Sequence, residues 1–505
     1  MNLEFQRERI QEELDAKKTQ LERNKLGQFA TPYHLATEIM NYAKKNISSK
    51  NVSFLEPSIG TGAFFSAFLK EFKGKYKRAL GFEIDPHYYI PTKKLWSKFN
   101  LELRLADFLE ADVDKELFDL IVANPPYSRH HHISMEKKIF LQNQILLHFG
   151  IKISGLAGLY CYFLILSTIW LKHGGLSCWL IPSEFMDVNY GCAIKRFLRN
   201  NVELLRIHKF DAGNVQFNDA MVTSSIVVFR NNPPTNNPIL FSYGESFTRP
   251  SKSKFVCPTK IDPSEKWSNI FYDKKMDNTD MTLGNFFNVK RGLVTGDNKF
   301  FILSRSTIKK YDIPQKFLLP VLQGPRYIEG DIIDSSYFDS DKINYLFNCD
   351  IPETKLKDLY PSVWDYVKYG MQNGIQNGYI CSRRSPWYSC ERRTPAPFLI
   401  PYMGRNKASN RVFRFILNKT SILATNVYLL LYLKPEYETI ANNEKIMYDL
   451  WENLNSIPSD VFNRNGRVYG GGLHKIEPKE LMNIPVSGVD NILERITRLK
   501  QRVSF

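Results

Sequence analysis

The residues with the most chemistry to offer are Asn124-Pro125-Pro126-Tyr127, which directly follow the apolar run Leu120-Ile121-Val122-Ala123. Two consecutive prolines fix φ and remove two N–H donors, so the Asn124 side chain and the Pro125 carbonyl stand as acceptors in a stiff turn, followed by an aromatic plane. That set suits a planar, exocyclic amino group, held by its two hydrogens while Tyr127 lies against the ring that bears it. The amine of adenine is a poor nucleophile because its lone pair is conjugated with the ring. Acceptors that draw both hydrogens out of plane favour a tetrahedral, nucleophilic nitrogen. Taken alone, the tetrapeptide is as readily an X-Pro-Pro turn closing a strand. The residues upstream bear on that choice.

Glu56-Pro57-Ser58-Ile59-Gly60-Thr61-Gly62 stands between an apolar run and a helical pattern, where glycines let a ligand approach the backbone at a helix N-terminus. Phe65 occupies the third glycine position of a G-x-G-x-x-G fingerprint, which disfavours a pyrophosphate cofactor. Glu83, in Gly81-Phe82-Glu83-Ile84-Asp85, lies about 20 residues past the glycines, where a carboxylate grips ribose hydroxyls. Asp107-Phe108 then offers an acid able to accept from an adenine amine beside a ring able to stack on that base. Each acid alone is more often a helix cap. In this order they describe a nucleoside site along the carboxyl ends of successive strands, the ligand-binding edge of an open parallel sheet.

The elements that must position these groups follow from periodicity. Strands are predicted at 52–55, 79–82, 101–105, 117–123 and 176–181, then at 202–210 and 224–229 as an antiparallel edge pair, with helices at 63–72, 88–99 and 193–200. The fold class is therefore α/β, a doubly wound and mostly parallel sheet. The charge-free run 153–171 falls between two strands and reads as a buried helix rather than a membrane span. Residues 3–25, dense in Glu, Lys, Arg and Gln, read as a helix facing solvent or a partner. Asn231-Asn232-Pro233-Pro234 and Asn236-Asn237-Pro238 stop both helix and strand and mark a linker. The expected division is an N-terminal helix (1–25), a catalytic domain (26–240) and a second domain (241–505); 505 residues are too many for one ordinary core.

A formal charge of +16, of which +6 falls in residues 1–240 and +10 in 241–505, is high for an enzyme of small metabolites and suits a polyanionic partner. Seven scattered cysteines without a C-x-x-C pair point to a reduced, cytoplasmic protein without structural zinc, and the charged start from Glu4 argues against a signal peptide.

On these motifs the sequence resembles the gamma-class, TaqI-like S-adenosylmethionine-dependent adenine-N6 DNA methyltransferases of bacterial type II restriction-modification systems. Gly27-Gln28-Phe29-Ala30-Thr31-Pro32 is similar to the family motif that precedes the first strand, so the resemblance implies that Thr31 and Pro32 touch the methionine part of the cofactor. It likewise implies cofactor contacts from Glu56, Pro57, Gly60 and Gly62, a ribose-binding Glu83 with Ile84 beside it, and an adenine site at Asp107 and Phe108. Asn124, Pro125, Pro126 and Tyr127 match the catalytic motif. Asn214-Val215-Gln216-Phe217 resembles the segment whose Phe stacks on the target base opposite the motif's Tyr, which assigns that role to Phe217 with Tyr127; an Asn-Asp pair follows where the family often has Pro. Segments 283–296, 386–388, 466–473 and 477–481 are similar to the DNA-specificity domains fused to such enzymes, which implies a C-terminal α+β recognition domain. Size and the Leu26-Gly27-Gln28-Phe29 opening resemble the branch that contains the PstI and BsuBI enzymes.

The implied activity is sequence-specific methylation of adenine N6 in double-stranded DNA, after the base is flipped from the stack, with S-adenosylmethionine as donor and no metal. A cognate restriction endonuclease would be a separate protein and a functional partner, since no stretch remains for a nuclease domain. Arg129-His130-His131-His132 reads as a DNA-facing, lid or solvated loop, because three adjacent histidines on a regular element do not converge on one ion. Arg291, Arg383, Arg384, Arg392, Arg393 and Arg405 are candidate phosphate contacts. An RNA adenine methyltransferase and a protein-glutamine methyltransferase share the Asn-Pro-Pro-Tyr chemistry. A non-catalytic DNA-binding subunit would be expected to have lost one of Glu56, Glu83, Asp107 or Asn124, and all four are present.

Overall fold

The computed structural model describes residues 3–49, 51–73, 75–213, 216, 223–272, 281–322, 324–339, 343–405 and 411–486. The chain forms two compact units, Met1–Lys274 with Tyr469–Gly472, and Lys275–Val468 with Leu473–Phe505.

In the first unit the helices, in chain order, are α1 (Leu3–Asp15), α2 (Gln20–Leu26), α3 (Tyr33–Asn46), α4 (Ala63–Glu71), α5 (Pro86–Leu95), α6 (Met135–Phe149), α7 (Leu159–Leu166) and α8 (Cys192–Asn200). The strands are β1 (Val52–Glu56), β2 (Tyr76–Glu83), β3 (Leu101–Leu105), β4 (Phe118–Ala123), β5 (Leu171–Pro182), β6 (Glu203–Phe210), β7 (Ser224–Arg230), β8 (Ile239–Gly244) and β9 (Lys252–Val256). Among the described residues they make one sheet in the order β3-β2-β1-β4-β5-β7-β6-β8-β9. β1 to β5 run parallel, β7 is antiparallel to β5 and β6, β8 is parallel to β6, and β9 returns antiparallel to β8. Side chains alternate across the sheet, so two cores result. Phe54, Leu120 and Val122 pack with α3 and α4 on one face, while Leu55, Ile121 and Ala123 pack with α6, α7 and α8 on the other. Burial on both faces is why β1 and β4 read as continuous apolar runs. The doubly wound α/β reading holds.

Four details differ from the expectations. The β6–β7 pair is not an edge, because β8 and β9 extend the sheet beyond β6. The Asn- and Pro-rich stretch 231–238 is a turn into β8, and the first unit continues through Trp267, which is buried against Phe241 at 6.2 Å between ring centroids. The charge-free run is a short helix, α7, a 3-10 turn (Ser167–Trp170) and the start of β5; no helix among the described residues is long and apolar enough to cross a membrane. Finally, α1 is solvated on one side only, with Glu4, Arg7 and Leu14 buried on the other. Glu4 and Arg7 are buried as an ion pair at 2.6 Å, Arg7 donates to Thr61 Oγ1 at 3.0 Å, and Glu4 accepts from Ser66. A charged pair that satisfies itself and two hydroxyls can be buried, which composition alone does not reveal.

The second unit is α+β. Among its described residues a five-stranded sheet runs in the order Phe287–Arg291, Tyr428–Leu433, Phe398–Pro401, Ile416–Asn418, Ile332–Ile333, and a four-stranded one in the order Ile302–Leu303, Asn344–Phe347, Leu318–Leu322, Leu423–Ala424. Helices Pro361–Gln372 and Glu444–Ser456 pack into separate cores beside them.

Candidate active site

β4 ends at Ala123, and its carboxyl end delivers Asn124 to Tyr127 beside the turn that follows β1. Ser58 of that turn donates to the Asn124 carbonyl at 3.0 Å. The Asn124 amide is held from one side only. Its Nδ2 donates to Phe29 O at 2.9 Å and to Thr31 Oγ1 at 3.1 Å, whereas its Oδ1 is buried and has no hydrogen-bond partner among the described residues. A buried acceptor without a partner costs free energy comparable to a lost hydrogen bond, which leaves Oδ1 available to a donor. Tyr127 is 8% exposed, donates from its hydroxyl to Leu180 O at 3.2 Å, and has Phe29 tilted beside it at 5.6 Å. Burial pushes its phenol well above the ordinary range, so the hydroxyl stays a neutral donor. Pro125 is buried and Pro126 partly so.

The neighbouring strand ends hold the nucleoside-type groups. Gly60 has φ +54°, and a Cβ added there would meet nothing within 4 Å among the described residues; Gly62, at φ +85°, caps α4, and a Cβ there would lie 2.7 Å from Trp96 Nε1. One glycine keeps a surface open and the other permits close packing. Glu83 accepts Gly60 N at 3.0 Å and Asp85 N at 2.9 Å, which ties the end of β2 to the glycine turn. Glu56, 2% exposed, accepts Phe65 N at 3.1 Å inside the first turn of α4. Burial raises the pKa of both carboxyls, Glu56 most. Ile84 is 61% exposed at the end of β2, an apolar surface beside Glu83. Asp107 follows β3, caps Leu109 N at 3.0 Å and pairs with Lys137 of α6. Phe108 is buried rather than open to a ligand, stacked on Phe163 at 5.7 Å and set edge-on to Phe82 at 5.3 Å. Thr31 is buried at the Asn124 amide, and Pro32 caps α3. Pro57 stands in the turn between β1 and Gly60.

Of the remaining predicted residues, Phe217 lies outside the described residues, as do Asn214 and Val215. Arg129 is exposed and His130 partly buried in the 3-10 turn His130–His132, where burial and neighbouring cationic groups hold His130 below the ordinary imidazole range. No cluster of three or more His, Cys, Asp or Glu suited to a metal ion occurs among the described residues. In the second unit the arginines divide. Arg291 pairs with Glu477 and donates to Tyr402 Oη at 2.6 Å, Arg384 donates to Thr295 O at 2.7 Å and Val294 O at 2.6 Å, Arg392 pairs with Asp350, and Arg393 pairs with Glu391. Arg383 instead lies over the exposed ring of Tyr379 at 3.7 Å, and Arg405 is exposed on the strand Met403–Arg405.

Two family matches cover most of the chain. Residues 34–217 match the Eco57I restriction-modification methylase family, and residues 266–504 match the C-terminal domain of the type II methyltransferase M.Eco57I. The type II methyltransferase M.AccI of Acinetobacter calcoaceticus is 28% identical over 488 residues, covering 91% of this chain and 85% of that protein. The chain belongs to the type II restriction-modification methyltransferase family. It is therefore an enzyme. M.XamI of Xanthomonas campestris pv. amaranthicola, 25% identical over 92% of this chain and 86% of its own length, agrees. Among solved structures, the type IIL restriction-modification enzyme MmeI in complex with DNA shares the fold, with a TM-score of 0.57 at 12% identity over 94% of this chain and 68% of that one. The contacts of Phe29 and Thr31 with Asn124 were not foreseen, since they join residues 95 and 93 positions apart.

Proposed function

We propose that this methyltransferase moves a methyl group from S-adenosylmethionine to the N6 amine of an adenine within a specific site in double-stranded DNA, as the modification partner of a separate endonuclease. The observation that carries the reading is the Asn124 amide, whose Oδ1 is buried without a partner while its Nδ2 is fully engaged. An acceptor held in that way suits an amino group and repels a carbonyl, so at the 6-position of a purine it favours adenine over guanine. S-adenosylmethionine, when bound, supplies a sulfonium methyl, whose transfer forms the N–C bond, breaks the C–S bond and releases one amine proton. The residues present fit its nucleoside part: an open glycine turn at Gly60, Glu83 at the end of β2, the exposed Ile84 and the carboxylate of Asp107. Asp107 would exchange its pairing with Lys137 for the cofactor's amine.

On this reading Asn124 Oδ1 and the Pro125 carbonyl orient the target amine, with Tyr127 forming the wall beside it. Flipping the base costs a few kcal/mol, offset by the pocket's contacts, and positioning supplies much of the rate. The basic charge of residues 241–505 and exposed cations such as Arg383 and Arg405 support phosphate contact. The test is transfer of labelled methyl to duplex DNA, RNA and protein in parallel, with hydrolysis of the labelled product to single nucleosides. Label in N6-methyladenine from duplex DNA is expected. Label confined to RNA, to a protein glutamine or to cytosine would overturn it.

A further inference from the structure

The segment Lys25–Thr31 meets the catalytic loop at four points. Lys25 O accepts from Ser128 Oγ at 2.7 Å, Gly27 O accepts from Tyr127 N at 3.1 Å, and Phe29 O and Thr31 Oγ1 take the two Nδ2 hydrogens of Asn124 at 2.9 and 3.1 Å. Gly27, at φ +70°, lies flat on the loop, since a Cβ there would stand 2.3 Å from Tyr127 N and 2.4 Å from Ser128 N. The segment is a template against which the loop is laid.

An asparagine amide has an acceptor end and a donor end of nearly equal size. Turned end for end, Asn124 would offer N–H groups to the substrate amine and set Oδ1 against the Phe29 carbonyl, an acceptor against an acceptor. The proline-stiffened backbone fixes where the amide sits but not which end faces out. The two acceptors on the Phe29–Thr31 segment do fix it. Resting on the amine-methylation reading above, we infer that Thr31, acting with the Phe29 carbonyl, is a positioning residue that keeps the Asn124 oxygen toward the target amine. Thr31 thereby acts on the methyl acceptor through Asn124, whatever further contact it makes with the methyl donor. Pro32 assists by holding Thr31 extended, because the residue before a proline is driven out of the helical region.

The test compares Thr31→Val, which keeps the shape and removes the acceptor, with Thr31→Ser, which restores it, in the full-length enzyme with duplex DNA and S-adenosylmethionine. Thr31→Val is expected to lower kcat by about tenfold, the size that one lost neutral hydrogen bond can carry into a rate, with the KM for S-adenosylmethionine within about twofold of wild type. Thr31→Ser should recover most of kcat. A Thr31→Val enzyme with unchanged kcat, or one whose loss lies in the KM for S-adenosylmethionine and is not restored by Thr31→Ser, would overturn the inference. If Thr31→Val does not fold, Thr31→Cys, of similar size and a weak acceptor, is judged by the same two criteria. Failure of the functional reading is separate, since the wild-type enzyme would then put no methyl on adenine in DNA.

Discussion

In the first unit two buried carboxylates at strand ends are bound by backbone: Glu83 joins Gly60 N and Asp85 N, Glu56 joins Phe65 N, and burial raises the pKa of both. In the second unit the corresponding group, Glu477, stands among Arg291, Tyr402 and Lys475, which hold its carboxyl down at about 2 against burial, the largest single influence on it. A parallel sheet gathers rigid groups at one edge, where backbone amides are at hand to fix a ligand site. The second unit, built on short strands, settles several of its charges by pairing side chains, those of Arg291, Arg392 and Arg393 among them. The lesson is that an arginine count overstates the contact surface, whereas in the first unit Ser58 joins the turn after β1 to Asn124 and Glu83 joins it to the end of β2.

This contrast can be broken at several points. The largest effect is expected from Gly27→Ala, whose added Cβ would displace the backbone of the catalytic loop. Misplacing reacting groups by about an ångström costs about a hundredfold, so kcat should fall at least that far while circular dichroism stays close to wild type. Next, Glu83→Ala should raise the dissociation constant for S-adenosylmethionine by about ten- to a hundredfold in calorimetry, because a hydrogen bond to a charged group contributes about 1.5–3 kcal/mol, and leave DNA affinity near wild type.

The two adjacent arginines sharpen the comparison inside the second unit. Arg383→Ala should weaken DNA binding a few-fold and reduce the salt slope by about one, as expected for a lost phosphate contact. Arg384→Ala should instead lower Tm by about 2–4 °C with the salt slope unchanged, since its fork is occupied by the carbonyls of Thr295 and Val294. The smallest effect concerns acid. The folded pKa of Glu477 lies below its ordinary 4.5, so its contribution is present above pH 4.5 and is lost as pH falls through about 2. Glu83 has the opposite sign, its contribution present below 4.5 and lost as pH rises through its raised value. Tm measured between pH 5 and 2.5 should therefore decline less steeply in Glu477→Gln than in wild type.

How far the sequence could be read follows from which contacts are local. β1, β2, β4, β5 and β7 announce themselves by apolar runs and β3 by alternating leucines, and the glycine turn, Glu83, Asp107 and Asn124 fall at the ends of strands that lie side by side. α6 was missed because Leu141 and Ile145 are its only fully buried side chains, too narrow a stripe to stand out. β8 and β9 were missed because the Asn- and Pro-rich turn before them resembles a linker. The buried Glu4–Arg7 pair, the Lys137–Asp107 pairing and the clamp on Asn124 join residues by tertiary packing, which residue types do not announce. The strands of the five-stranded sheet in the second unit are two to six residues long and leave no periodicity to follow, and its first strand pairs far along the chain, Phe287 with Leu433.

The central claim, that Asn124 offers its oxygen to the target amine and does not hold the cofactor, is tested most directly by Asn124→Ala. Its kcat on unmodified duplex DNA and its dissociation constant for S-adenosylmethionine would be measured on one preparation. The account predicts that kcat falls by at least about a hundredfold, as when a single charge-stabilising contact is removed from an active site, while the dissociation constant stays within about twofold. Cofactor binding lost in step with transfer, or transfer that persists, would contradict it.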